Sequence, residues 1–174
     1  MGQVKRIQTV KLICGLISVD AALFQRSAKL LSGKFGAIDY KSPIFDFDFT
    51  DYYKEEMGTN LKRQFLSFSR LINPELLPKI KLYTNKIEAK FARNNKRTVN
   101  IDPGYITAAK LILATTKDYS HRIYLNRGIY AEITLTYRGD SFTQGELTFP
   151  DYRTEHYIET FNKIRRIYMG QIKL

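Results

Sequence analysis

The sequence predicts an α+β fold, and three observations carry that prediction. Lys11–Ser18 (KLICGLIS) is an apolar run without alternation, the pattern of a strand buried on both faces. Phe45, Phe47 and Phe49 alternate with Asp46, Asp48 and Thr50, the period of a half-buried strand. Two other stretches carry apolar residues at helical spacing, Phe24, Ala28, Leu31 and Phe35 in one and Leu76, Ile80, Tyr83, Ile87 and Phe91 in the other.

The elements follow in order. Residues 1–8 read as a polar, loosely held tail. Lys11–Ser18 is the first strand, central in its sheet because both faces are apolar. Asp20 stands where an N-cap belongs, and Gly33 and Gly36 close the first helix. Ile38–Phe49 contains the alternating segment, and Lys62–Leu71 reads as the next strand. Asn73-Pro74-Glu75 opens a second helix with a cap, a proline at the first position and an acid in the first turn. Val99–Asp102 is a short strand closed by a turn at Asp102-Pro103-Gly104. Tyr105–Thr116 suits a strand or a helix, and its Thr and Ile content favours a strand. Arg122–Leu125 and Ile129–Arg138 flank Asn126-Arg127-Gly128 as a β-hairpin. Thr154 caps a last helix with Tyr157, Phe161, Ile164 and Tyr168 on one face.

The first hundred residues thus run β-α-β-β-α-β, the order of a ferredoxin-like core. The C-terminal hairpin and helix extend it. The 174 residues suit a single domain. With 44% hydrophobic and 26% charged residues the composition is globular rather than disordered.

Composition also excludes. One cysteine, Cys14, rules out an internal disulfide framework and a multi-cysteine zinc site. The longest apolar run, Leu12–Val19, is far short of the ~20 residues that span a bilayer. Asp20 follows it at once without a small-residue cleavage site, and Arg6 stands where myristoylation needs Ser or Thr. The expectation is a cytoplasmic protein with a reduced thiol.

Several stretches look familiar together: Asp46–Gly58 (DFDFTDYYKEEMG), Asn100–Tyr105 (NIDPGY), Lys110–Leu125 (KLILATTKDYSHRIYL), Gly128–Tyr137 (GIYAEITLTY) and Pro150–Arg153 (PDYR). Across nearly its whole length the chain resembles a bacterial family of about this size whose function is unknown. Some members of that family carry the label "GTP-binding protein". The residues do not form a P-loop. The only Gly-Lys pair, Gly33-Lys34, is followed by Phe35 and sits at a helix end, where the dipole disfavours phosphate. A guanine-reading Asn/Thr-Lys-x-Asp motif is also missing, since Thr116-Lys117 is followed directly by Asp118.

Three constellations carry chemistry. Asp46 and Asp48 share a strand face about 7 Å apart, and with Asp102 they form a candidate site for Mg²⁺ or Mn²⁺. The alternative is an amphipathic strand that shows its acids to water. Lys117, His121 and Arg122 fall within six residues and would grip a phosphate or carboxylate, with His121 and Lys117 as candidate catalytic groups. The alternative there is a basic turn. Asp102-Pro103-Gly104-Tyr105 is the third: Asp102 would point into the same site as Asp46 and Asp48, and the alternative is a turn in which Asp102 accepts backbone hydrogen bonds. Tyr105, Lys110 and Arg153 complete the ligand-binding candidates.

The net charge of +11 attracts polyanions. Two functions therefore stay open besides a structural subunit that meets a partner through a sheet edge. One is a ligand-binding protein or enzyme acting on a phosphorylated small molecule or nucleotide, with or without a divalent metal. The other is a non-catalytic module for RNA or single-stranded DNA, with basic helices on phosphates and exposed tyrosines stacking bases.

Overall fold

The computed structural model describes residues 2–4 and 6–172. Among them one open antiparallel sheet of nine strands is flanked by helices on both faces, an α+β architecture. The strands are β1 (Val10–Ser18), β2 (Ile38–Lys41), β3 (Phe45–Phe47), β4 (Leu61–Ile72), β5 (Asn100–Ile106), β6 (Lys110–Thr115), β7 (Ile123–Asn126), β8 (Ile129–Arg138) and β9 (Ser141–Gln144). The helices are α1 (Ala21–Phe35), α2 (Lys54–Met57), α3 (Leu77–Phe91) and α4 (Glu155–Ile172). The order across the sheet is β2-β4-β1-β5-β6-β8-β7, with β3 also paired to β4 and β9 to β8.

The first strand is interior, as its apolar run requires: β1 pairs with β4 on one side and β5 on the other. Its residues alternate between two cores. Leu12, Cys14 and Leu16 pack with α1 and α3, whereas Ile13 packs with α4. Helices α1 and α3 thus share one face of the sheet and α4 covers the other.

Local signals account for the helix starts. Asp20 accepts from the Ala22 amide at 2.8 Å, and Asn73 accepts from the Glu75 amide at 3.0 Å. Gly36, at φ +101°, ends α1, while Gly33 lies inside it. The stripe of α3 runs through Leu77 rather than Leu76, which is exposed because it belongs to the 3₁₀ turn before the helix. The Thr154 hydroxyl donates to the Asp151 carbonyl, so it closes the preceding turn at the entrance to α4.

Two departures concern β5 and β9. Asp102-Pro103-Gly104 is not a turn, for β5 runs straight through it. Strand β6 pairs with β5 only from Gly104 onward, so Pro103 lies where the missing N–H breaks no β5–β6 ladder bond. The turn comes later, at 107–109, and makes Tyr105–Thr116 a hairpin rather than one strand. Strand β9 has a single buried side chain, Phe142, and no alternation that would announce it. The β7–β8 turn takes the expected form, with Arg127 and Gly128 both at positive φ.

Candidate functional site

Strands β1 and β6 end, and β4, β5 and β8 begin, at the same end of the sheet. A cavity of about 440 Å³ opens there. Its base is made by Arg63 of β4, Lys81 of α3, and Asn100 and Asp102 of β5. Phe47, Phe49 and Tyr53 form apolar walls, and Asp151 and Tyr152 close it from the turn before α4.

Arg63 organises this base. It shares a strand face with Phe65, and its side chain is 2% exposed. Nη2 donates to the Tyr152 hydroxyl at 2.7 Å, and Asp102 and Asp151 lie at 3.4 and 3.6 Å. The guanidinium also faces the rings of Phe65, Tyr152 and Phe47 at 4.9, 5.4 and 5.7 Å. Its Nε is buried without a hydrogen-bond partner. Gly15 makes room, since a Cβ there would lie 3.1 Å from the Phe65 ring and 3.2 Å from the Arg63 Cζ.

Asp102 accepts from Asn100 at 2.6 Å and lies 3.5 Å from the Lys81 ammonium, which donates to the Ile101 carbonyl. Burial pushes the Asp151 carboxyl above the usual carboxylate range, with Arg63 opposing the rise. Burial likewise pushes the Tyr152 hydroxyl well above the phenol range. Tyr152 is therefore a neutral hydrogen-bonding group over the physiological range.

Arg97 fixes a side wall. Its Nε and Nη2 hold both oxygens of Glu56 at 2.8 and 2.6 Å, and Nη1 reaches Asn100 at 2.8 Å. This fork clamps α2, and with it the turn that carries Tyr52 and Tyr53, to the entrance of β5.

Lys117 and Arg122 stand at the mouth. Arg122 is buried against Glu132, with Nε to carboxylate at 2.7 Å, and its Nη1 donates to the Lys117 carbonyl at 3.1 Å. His121 Nε2 lies 3.3 Å from the same Glu132 oxygen. His121 stands beside the cavity wall rather than among the lining groups. The Lys117 ammonium sits 3.8 Å from the centroid of the Tyr52 ring. Among the described residues it has no carboxylate within ion-pair distance.

The predicted site residues divide. Asp102, Lys117 and Arg122 meet at the cavity. Asp46 and Asp48 do not join them, because Phe47 and Phe49 take the inward face of that segment. Asp46 lies opposite Lys62 in the β3–β4 register and pairs with it on the water side. Among the described residues no three His, Cys, Asp or Glu side chains gather as a metal-holding group. The three-carboxylate centre is thus not assembled, since the alternation that puts the phenylalanines inward puts these acids outward.

Tyr105 packs against the α3 side of the sheet, and Lys110 starts β6 at the far end of the hairpin. Arg153 is exposed and ties down its own loop, donating to the Thr148 and Glu146 carbonyls, both at 2.8 Å. Its neighbours Asp151 and Tyr152 are the ones that turn inward. Arg63 was readable as a cation on the Phe65 face of a strand, a signal that the dispersed basic charge hides.

Comparison with curated proteins and with solved structures returned no match. A family model described as a domain of unknown function, DUF4416, matches residues 8–168, and the chain belongs to that family.

Proposed function

We propose that this chain binds a small phosphorylated ligand of nucleotide size in the cavity at the end of the sheet. The observation that carries the reading is Lys117, a cation at the mouth with no carboxylate partner among the described residues. The other lining cations are already matched: Arg63 by Asp102 and Asp151, Lys81 by Asp102, Arg97 by Glu56 and Arg122 by Glu132. An unmatched ammonium at a wet mouth favours a phosphate, which keeps part of its hydration there. The inner end suits a planar or apolar body, because Phe47, Phe49 and Tyr53 form walls around neutralised charge. The volume of about 440 Å³ falls in the range of ligand sites.

The fold supports the same reading. We take the β2-β4-β1-β5 half, with α1 and α3 on one face, as a ferredoxin-like split β-α-β unit that supplies the cavity base, and the added strands β6 and β8 as one further wall of it.

Thermal unfolding against inorganic phosphate, ribose 5-phosphate and the nucleoside mono-, di- and triphosphates, each with and without Mg²⁺, tests this. A ligand at about 100 times its Kd should raise Tm by roughly 5 to 10 °C. Lys117→Met should abolish the rise and leave the unliganded Tm unchanged. If no phosphorylated compound shifts Tm, the proposal fails.

A further inference from the structure

Three aromatic rings at the mouth line the cavity and keep much of their surface exposed. Tyr52, Tyr119 and Phe149 come from three separate loops and are 56%, 53% and 38% exposed. The Arg122 guanidinium lies 4.3 Å from the Tyr119 ring and 5.9 Å from that of Phe149, and Lys117 lies over Tyr52. Leu147, two residues before Phe149, is 58% exposed. This rim offers apolar area and charge to something that continues beyond the mouth.

We infer that the phosphorylated ligand is the end of a single-stranded nucleic acid. The terminal phosphate sits at Lys117, and the following bases stack on the rim rings. The inference rests on the proposed cavity reading and names the class of molecule that enters.

Two features select this occupant. Exposed rings beside cations are the chemistry that holds successive bases without reading their sequence. A duplex hides its base faces and offers none to these rings. The net charge of +11 attracts a polyanion over a range that a single phosphate does not use. An acidic peptide would satisfy the charge but leave the rings without stacking partners.

Fluorescence anisotropy on the full chain tests this with six-nucleotide RNA and DNA strands. The strands carry a phosphate at the 5′ or the 3′ end and the dye at the other. A blunt duplex, a poly-glutamate peptide and the matching mononucleotide serve as competitors. A phosphorylated strand should bind at least about tenfold more tightly than the mononucleotide, and its affinity should fall steeply with salt. Tyr119→Ala should weaken the strand on the order of tenfold and the mononucleotide by less than about twofold. Its exposed side chain makes an unchanged Tm the check on folding.

A strand that binds no better than the mononucleotide overturns the inference and leaves the cavity reading standing. Equal competition by duplex or peptide also overturns it. Failure of every phosphorylated probe, mononucleotide included, overturns both.

Discussion

The Arg63 guanidinium donates to the Tyr152 hydroxyl at 2.7 Å, and both side chains are buried beneath the cavity. Asp151 completes the arrangement at 3.6 Å. Breaking one member of a buried charge cluster leaves its partner desolvated and unpaired. Arg63→Met should therefore lower stability by about 3 to 5 kcal/mol. Tyr152→Phe removes one acceptor and should cost about 1 to 3 kcal/mol. Adding Asp151→Asn to Arg63→Met should recover part of the loss, because the orphaned carboxylate goes with it. Urea unfolding midpoints at constant m-value measure all three. A double variant no more stable than Arg63→Met would show that the carboxylate is not the source of the cost.

Two glycines should respond in opposite directions. A Cβ on Gly104 would lie 2.2 Å from the Ile112 carbonyl oxygen and 2.7 Å from Leu113 Cδ2. The first of these is backbone of the paired strand, which moves only by parting β5 from β6. Gly104→Ala should destabilise by about 3 kcal/mol or more. Gly33 lies inside α1 with open space around its Cβ position. Gly33→Ala should stabilise by about 0.5 to 1 kcal/mol through helix propensity and a less disordered unfolded chain. Thermal melts of the two variants decide it.

Gly104 also shows where sequence reading stops. Asp-Pro-Gly is a turn signal by its own chemistry, yet the glycine is required by a strand that arrives eight residues later. Caps at Asp20 and Asn73, the buried strand β1 and the Arg127-Gly128 turn are local, and they read correctly. Strand β9 carries one buried residue and gave no period to read. At the site, Lys117, Arg122 and Asp102 were legible by residue type. Asp46 and Asp48 shared their face as expected, but it is the face opposite the cavity. Asp151 and Tyr152 lay inside a recognised stretch, and only the tertiary turn before α4 separates them from the outward Arg153.

Glu56 and Glu88 both face Arg97 and should give opposite pH dependence. Hydrogen bonds from Arg97 hold the Glu56 carboxyl below its ordinary value of 4.5. Its stabilisation is present above pH 4.5 and is lost as pH falls through the lowered folded value. Burial pushes Glu88 above 4.5, against the attraction of Lys81. The native state then holds that proton longer than the unfolded chain does. The Glu88 contribution is present below pH 4.5 and is lost as pH rises through the raised value. Relative to the parent, Glu56→Gln should lose most at neutral pH and least in acid. Glu88→Gln should improve as pH rises. Chemical denaturation from pH 3 to 8 reads both slopes, and parallel profiles would contradict the assignment.

Arg122 should act by positioning. Its Nε holds Glu132 at 2.7 Å, its Nη1 holds the Lys117 carbonyl at 3.1 Å, and its guanidinium lies 4.3 Å from the Tyr119 ring. One planar fork thus holds Lys117 and Tyr119 of the 117–121 segment against Glu132 of β8. A lysine carries the same charge but has a single head group, so it replaces one of these contacts and not all three. Arg122→Lys should speed amide hydrogen exchange across residues 117–121 while leaving β1 and β4 protected. The loosened segment should also weaken binding of a phosphorylated ligand by roughly tenfold, since Lys117 is no longer held at the mouth. Glu132→Gln keeps an acceptor for the Arg122 Nε–H and should lose less on both measures. Unchanged exchange in Arg122→Lys would remove the positioning role, because a contribution from charge alone predicts no change in the segment's motion.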